Sequence, residues 1–209
     1  MVSLELFCGT KSFSKIVKNY VSKTVTTDMN NKFEPSICDD IFNLNFKEKE
    51  FDIIWASPPC EGFSVASIGH HWNPDHTPKT KKAEEALRIV KKTIEIIKNV
   101  KPKYWFIENP RGKLRKVIDD ILLDNIGNYY KRETVCYCRY GDTRMKPTDI
   151  WTNCFEWKPI DKMCKNGNLD HEAAPRGSKT GTQGLKDYEL RSIIPPALFE
   201  DIFKELKEL

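Results

Sequence analysis

Cys60 is the residue of this sequence that is best placed for nucleophilic chemistry. It follows the apolar stretch Phe51–Ala56, which predicts a strand buried on both faces, and the stiffening pair Pro58-Pro59. A thiolate is a strong, soft nucleophile at an accessible pKa, so a cysteine presented there could attack an electron-poor carbon. A buried structural role fits this cysteine poorly, because the Gly-Phe-Ser that follows it interrupts the strand.

Glu108 is the second residue with a chemical signature. It ends the stretch Tyr104–Glu108, which predicts the next strand, and the carboxyl ends of parallel strands meet at one edge of a sheet. A carboxylic acid near Cys60 could protonate or hydrogen-bond N3 of a cytosine, and this would open C6 of the ring to attack by the thiolate. Alone, Glu108 would be interpreted as a neighbour of a helix N-terminus, but together with the cysteine it indicates a general acid.

Three earlier strand ends carry a pattern typical of an adenosyl-binding site. The predicted strand Val2–Phe7 runs into a turn at Gly9, where a cofactor can approach the backbone. Asp28 follows the predicted strand Val21–Thr27 and could accept hydrogen bonds from ribose hydroxyls, while Asp40-Ile41 could hold an adenine between a polar and an apolar contact. A single glycine in place of G-x-G-x-x-G favours an adenosyl cofactor over a dinucleotide.

The elements that must position these residues alternate along the 209 residues as short apolar runs and helical periodicity. This pattern predicts an α/β fold, a mostly parallel twisted sheet flanked by helices, in a single domain, 1–209. Further strands are predicted near Ile37–Asp40 and at Tyr129–Cys138 and Asp149–Thr152, and helices at Phe13–Tyr20, Lys82–Val100, Arg111–Leu123 and Pro196–Leu209. The polar loops Glu61–Thr80 and Trp157–Asp187 are candidates for substrate contact.

Composition and charge limit where the protein can be located and what it can bind. No apolar run approaches the ~20 residues that cross a bilayer, and the N-terminus lacks a basic segment, so we expect a cytoplasmic protein with no membrane partner. Seven cysteines, an odd number, indicate thiols in a reducing compartment, and a net charge of +4 permits nucleic-acid binding without establishing it. Cys154, Cys164 and His171 offer three zinc ligands at spacings that match no common finger, so we favour loop cysteines and no metal site.

Six segments, in this order, resemble the cytosine-C5 DNA methyltransferase family, particularly its compact phage and bacterial members. They span nearly the whole chain: LELFCGTKSFS, ICDDI, ASPPCEGFS, IENPRGKLR, YGDTRMKPTDIW and RSIIPPALFEDI. The resemblance implies a Rossmann-like class I methyltransferase that uses S-adenosylmethionine. Its implied substrate is a cytosine flipped out of double-stranded DNA, methylated at C5 through a covalent bond between Cys60 and C6. The implied location is the cytoplasm of a prokaryotic cell or of a phage-infected host.

The resemblance also assigns roles to residues at matching positions. Cys60 is the implied nucleophile, Glu108 is implied to hold N3, and the cation of the basic segment is Lys146 or Arg144. The implied S-adenosylmethionine contacts are Phe7, Gly9, Thr10, Asp28, Met29, Asp40, Ile41 and Pro59. The implied DNA contacts are Ser64, Ser67, His70, Arg111, Arg176, Lys179 and Gln183.

The sequence departs from the family pattern where the DNA would be bound. The usual Gln-x-Arg-x-Arg is replaced by Arg-Met-Lys-Pro-Thr at 144–148, which leaves the identity of the cation open. Only residues 157–187 lie where the family has its long target-recognition region. This reduced insertion predicts a short or relaxed target sequence, or a protein partner that supplies recognition.

Two other functions remain open on the sequence alone. One branch of the same family modifies transfer RNA, so an RNA cytosine-C5 methyltransferase is the nearest alternative. The chain also fits the catalytic half of a split enzyme that binds DNA through a partner. Intact Cys60 and Glu108 argue against a pseudoenzyme. An amino-group methyltransferase is disfavoured because such enzymes carry an aromatic residue where this chain has its cysteine.

Overall fold

A seven-stranded, mostly parallel sheet forms the centre of the protein in the computed structural model, which describes residues 1–65, 68–160, 163–165, 167–169, 171–172 and 187–207. The strand order is β3-β2-β1-β4-β5-β7-β6, and only β7 runs antiparallel to its two neighbours. The strands are β1 Val2–Leu6, β2 Lys23–Asp28, β3 Ile37–Cys38, β4 Ile53–Ala56, β5 Tyr104–Pro110, β6 Lys131–Cys136 and β7 Pro147–Thr152. The predicted α/β class is confirmed.

Helices cover both faces of this sheet. They are α1 Ser12–Val17, α2 Ile68–His71, α3 Lys81–Val100, α4 Ile118–Ile126, α5 Tyr188–Ser192 and α6 Pro196–Lys207. One apolar core lies between the sheet and α3 with α4, and the other lies between the sheet and α1 with α6. Because successive strand residues point to opposite faces, Ile54 belongs to the first core and Trp55 to the second, and β4 is buried along its whole length as predicted.

The long helix α3 forms where its sequence demands it. Thr80 caps the N-terminus by accepting a hydrogen bond from the Ala83 N–H, and Lys101 ends the helix in the left-handed conformation. Val90, Ile94 and Ile97 recur at helical spacing and are buried against the sheet. None of the helices within the described ranges is long and apolar enough to cross a membrane.

The predicted helix Arg111–Leu123 is wrong in its first half. Strand β5 continues to Pro110, a 3-10 turn occupies Lys113–Lys116, and only then does α4 begin at Ile118. The cause is a tertiary contact, since a Cβ atom on Gly112 would lie 2.4 Å from the carbonyl oxygen of Phe63. The chain must pass this close to the loop after β4 before it can turn into a helix.

Candidate active site

The register of the sheet brings the chemically distinctive strand ends together. Leu6 of β1 pairs with Ala56 of β4, and Ala56 in turn pairs with Ile107 of β5. Because all three strands are parallel, the segments that follow them leave the same edge of the sheet. Glu108 is thus beside the start of the turn that carries Cys60, as the two strand patterns predicted.

The turn after β4 holds Cys60 at the surface. Pro58 is buried, and its carbonyl oxygen accepts a hydrogen bond of 2.9 Å from the Asn109 side chain on β5. The Cys60 carbonyl accepts a 2.9 Å hydrogen bond from the Phe63 N–H, which starts a 3-10 turn. Glycine is required at position 62, because a Cβ atom there would lie 2.5 Å from Cβ of Ala86 on α3. The turn is therefore fixed on both sides while the cysteine stays exposed.

Glu108 is a buried carboxyl group with a dedicated hydrogen-bond donor. The hydroxyl of Tyr137 donates to its Oε1 atom over 2.9 Å, and the Ser57 side chain also hydrogen-bonds to it. Burial raises the pKa of Glu108, while the positive charge of Lys146 and these hydrogen bonds oppose that rise. The balance favours a carboxyl group that keeps its proton to higher pH than an exposed glutamate.

Lys146 is the cation that faces both candidate catalytic groups. Its Nζ atom donates to the Arg191 carbonyl over 2.9 Å and lies 4.9 Å from the centre of the Tyr137 ring. Burial lowers the pKa of Lys146, and the negative charges of Glu108 and Cys60 act in the opposite direction. Although Cys60 is exposed, the protein around its sulfur raises the thiol's pKa, and the nearby charge of Lys146 lowers it.

Arg144, the other cation left open by the sequence, has a different environment. Its Nε atom donates to both carboxylate oxygens of Asp142, at 2.8 and 3.0 Å. Its terminal nitrogens donate to the carbonyl oxygens of Leu190 and Ile193, at 2.8 and 3.1 Å. The buried guanidinium therefore ties the segment before β7 to α5 and the chain that follows it. The structure groups Lys146, and not Arg144, with Cys60 and Glu108.

The turn after β1 has an unusual backbone. Phe7 and Gly9 both have positive φ angles, 59° and 44°, and a non-glycine residue in this region is strained. The Gly9 N–H donates to Asp28 Oδ2 over 2.9 Å, and the Asn30 N–H donates to Asp28 Oδ1 over 2.9 Å. Each carboxylate oxygen of Asp28 keeps a lone pair that can accept a ribose hydroxyl. The glycine turn and Asp28 therefore lie side by side, as the strand ends predicted.

The other predicted cofactor residues lie along the same edge of the sheet. Asp40 is exposed and accepts a 3.0 Å hydrogen bond from the Phe42 N–H, and the Ile41 side chain is buried in the core. Met29 is 75% exposed. Pro59 is exposed, and Thr10 is half-buried. Carboxylates that accept hydrogen bonds, beside accessible apolar side chains, fit the ribose hydroxyls and the adenine ring of an adenosyl group.

The loop after Cys60 is anchored at its ends. The Trp72 indole N–H donates to the Gly62 carbonyl over 2.7 Å, and its ring stacks on Phe63. Lys113 Nζ lies 2.8 Å from His76 Nδ1. The predicted DNA contacts Ser64, His70 and Arg111 are exposed residues on or beside this loop. Four further predicted DNA contacts lie outside the described residues: Ser67, Arg176, Lys179 and Gln183.

Sequence reasoning missed two buried polar residues of this region. Tyr137 had no signal, because it lay within a predicted strand and its partner Glu108 is distant in sequence. Glu5 did have a signal in the sequence, because it is a carboxylate inside an apolar strand pattern. Its carboxylate accepts the N–H groups of Phe13 and Ser14 at the start of α1, at 3.2 and 3.0 Å, and burial raises its pKa to about 7.

The sequence of this chain is similar to a known protein family and to a viral protein. The sequence model of the family described as C-5 cytosine-specific DNA methylase matches residues 3–129. A protein of Frog virus 3 (isolate Goorha), named "Probable DNA (cytosine-5)-methyltransferase", is 26% identical over 95% of this chain and 97% of its own length.

Two solved structures share the fold. A protein encoded within an E. coli prophage and described as a DNA modification methyltransferase superposes with a TM-score of 0.54 at 14% identity, over 73% of this chain and 46% of that one. The Entamoeba histolytica methyltransferase EhMeth gives a TM-score of 0.51 at 16% identity, over 79% and 57%. This chain thus spans about half the length of these two structures, and the likeness shows a methyltransferase fold.

Proposed function

Because this chain belongs to the C-5 cytosine-specific DNA methylase family, we propose that it transfers a methyl group from S-adenosylmethionine to C5 of a cytosine in DNA, with Cys60 as the nucleophile. The observation that carries the proposal is the grouping of three residues. The exposed Cys60 thiol, the buried Glu108 carboxyl group and the Lys146 ammonium group influence one another's charge at one edge of the sheet.

The chemistry begins at Cys60. Its thiol must lose a proton before it can attack, and the positive charge of Lys146 favours the thiolate. The sulfur forms a bond to C6 of the cytosine, and the electron pair of the C5–C6 double bond moves toward C5 and N3. Glu108, whose pKa is raised by burial, would donate its proton or a hydrogen bond to N3 and so stabilise the charge that arrives in the ring.

The remaining steps restore the aromatic ring. S-adenosylmethionine, when bound, supplies an electrophilic methyl group for the carbon atom C5 that the thiolate has activated. A base then removes the C5 proton, the electrons re-form the C5–C6 double bond, and the C6–S bond breaks to release the Cys60 thiolate. Lys146 again stabilises this thiolate as it leaves.

The turn after β1 and the ends of β2 and β3 would hold the cofactor. Asp28 would accept the ribose hydroxyls, and Asp40 with Ile41 would contact the adenine. Phe7, Gly9 and Thr10 would line the methionine side, with Met29 and Pro59 as the exposed apolar contacts. The unusual backbone at Phe7 supports this assignment, because strained conformations concentrate at binding sites.

We propose double-stranded DNA as the substrate. C5 and C6 are stacked inside a duplex, so the target cytosine must be flipped out to reach Cys60. The exposed residues Ser64, His70 and Arg111 would contact the strand around it. We also propose that the chain acts as a single catalytic domain in the cytoplasm, and that residues 157–187 read a short target sequence, alone or with a protein partner.

Trapping the covalent adduct tests the proposal directly. Duplex DNA with 5-fluorocytosine blocks the final elimination, since fluorine replaces the C5 proton, and we expect a stable complex that denaturation does not separate. Cys60→Ser should abolish it, while Cys38→Ser, which removes another exposed cysteine, should not. An equal adduct with Cys60→Ser would exclude the proposed nucleophile. Parallel reactions with single-stranded DNA and transfer RNA, followed by bisulfite sequencing, would reveal an RNA methyltransferase if only transfer RNA is modified.

A further inference from the structure

A second cluster of reactive side chains lies beyond the end of β6. The sulfur atoms of Cys138 and Cys164 and a ring nitrogen of His171 all lie within 4.8 Å of one another. The Cys164 sulfur is 3.2 Å from Nδ1 of His171. Both cysteines are buried and the histidine is half-buried, so water is largely excluded from the sulfur atoms.

Cys136 completes this cluster. It is the last residue of β6, fully buried, and belongs to the same packed group as Cys138 and Cys164. Its thiol hydrogen-bonds to the Cys138 side chain and to the backbone of Cys164. The Cys136 sulfur thus lies next to the group of two sulfur atoms and one imidazole nitrogen, and these four residues come from two separate parts of the chain.

We propose that Cys136, Cys138, Cys164 and His171 bind one Zn²⁺ ion. Three cysteines with one histidine are a common structural zinc set, and soft thiolate ligands select zinc over magnesium or calcium. With the usual zinc bond lengths, tetrahedral ligands lie about 3.8 Å apart for two sulfurs and about 3.6 Å apart for sulfur and nitrogen. The ligand atoms of Cys138, Cys164 and His171, which lie within 4.8 Å of one another, reach these values through small side-chain rotations. The hydrogen bond between the Cys136 thiol and the Cys138 side chain places the fourth ligand next to them.

The set differs from the one that the sequence suggested. Cys154 is not part of it, because its sulfur packs in the core between the sheet and α6 and lies 3.7 Å from Oε2 of Glu156. The two proposed ligands that precede Cys164 in the sequence are instead Cys136 and Cys138, a C-x-C pair where β6 ends. Both lie inside the predicted strand Tyr129–Cys138, and a strand pattern does not identify them as ligands. Within the described residues, no disulfide joins any of the seven cysteines.

The ion would connect the predicted recognition segment to the catalytic residues. Cys164 and His171 lie within 157–187, and the Glu172 N–H next to His171 donates to the Thr143 carbonyl over 2.9 Å. Tyr137, between the two ligands of the C-x-C pair, donates to Glu108. Zinc would thus hold the start of this segment beside the strand end that positions the proposed general acid.

The test measures metal and needs no methylation activity, so its outcome is separate from that of the proposed function. We expect the whole chain, purified without added metal under reducing conditions, to contain about one zinc per molecule by mass spectrometry of the elements. Cys138→Ser and Cys164→Ser should lower this content at least tenfold, in keeping with loss of a direct ligand. Cys154→Ser, which removes a buried cysteine outside the cluster, should retain zinc.

Replacement by Co²⁺ identifies the ligands. The cobalt-loaded protein should show thiolate-to-metal charge-transfer absorption, and Cys136→Ser and Cys138→Ser should each weaken it. His171→Ala provides the variant least disturbing to the core, because this residue is only half-buried, and it should release zinc to a chelator faster than the unaltered chain. A folded protein that takes up neither ion, a disulfide between two of the three cysteines, or zinc loss only in Cys154→Ser would overturn the proposal.

Discussion

The hydrogen bond from Tyr137 to Glu108 should set the pH at which the enzyme loses activity. The Tyr137 hydroxyl stabilises the charged form of Glu108, because it donates to a carboxylate oxygen over 2.9 Å. The substitution Tyr137→Phe removes this donor and keeps the ring. The pKa of Glu108, already raised by burial, should therefore rise further.

The size of the effect follows from the burial of both partners. A hydrogen bond to a charged group contributes roughly 1.5–3 kcal/mol, which corresponds to about one to two pH units. If protonated Glu108 activates the cytosine, methylation falls as pH rises through its pKa in the enzyme–DNA complex. The alkaline limb of kcat against pH should accordingly move upward by about one to two units in Tyr137→Phe.

Tyr140→Phe is the matched control. The Tyr140 hydroxyl donates to Asp201 Oδ2 over 3.0 Å, a buried bond to a carboxylate away from the site. Both variants should unfold at a lower temperature, but only Tyr137→Phe should shift the alkaline limb of the pH profile. The profile is measured as methyl transfer from labelled cofactor to duplex DNA. Glu108→Gln should abolish the alkaline limb and lower turnover roughly 10²–10⁴-fold. A limb that stays in place in Tyr137→Phe, or moves equally in both tyrosine variants, would refute the assigned role of Glu108.

Three further predictions concern charge and recognition. Lys146→Met should raise the pKa of Cys60, and alkylation of this thiol by iodoacetamide at neutral pH should slow roughly tenfold; an unchanged rate would remove Lys146 from the site. Burial raises the pKa of Glu5 from 4.5 to about 7, so the folded protein keeps a proton on Glu5 that the unfolded chain loses between these two pH values. The free energy of unfolding in urea should therefore fall by about 3 kcal/mol as pH rises through this window, relative to that of Glu5→Gln. Parallel curves of unfolding free energy against pH for the two proteins would contradict this. Bisulfite mapping on random-sequence DNA should show a target of about two to four base pairs and weakening with salt, whereas a longer site would show that recognition lies elsewhere.

The positions of Cys60 and Glu108 could be predicted because they depend on local rules. Each follows an apolar run typical of a buried parallel strand, and the carboxyl ends of such strands share one edge of a sheet. The registers of β1, β4 and β5 confirm that edge. Asp28 beside Gly9 follows from the same rule applied to β1 and β2.

Contacts made by the chain after β5 could not be predicted in this way. Strand β7 inserts between β5 and β6 and reverses direction, an arrangement that local periodicity does not encode. This insertion brings Tyr137 to Glu108 and places Lys146 near both proposed catalytic groups, Cys60 and Glu108. The helix predicted over Arg111–Leu123 failed for a related reason, since the approach of Gly112 to Phe63 belongs to tertiary structure.

The three groups of the proposed active site balance one another's charge through the reaction. In the resting site, burial raises the pKa values of the thiol and the carboxyl group and lowers that of Lys146, while the opposite charges of these groups oppose each of the three shifts. Loss of the Cys60 proton then creates a thiolate whose charge is stabilised by the positive charge of Lys146. Attack moves the negative charge from sulfur into the ring, where the proton of Glu108 meets it. A lysine suits this position better than an arginine, because a compact ammonium group can face the thiolate and the carboxyl group without the fixed geometry of a guanidinium.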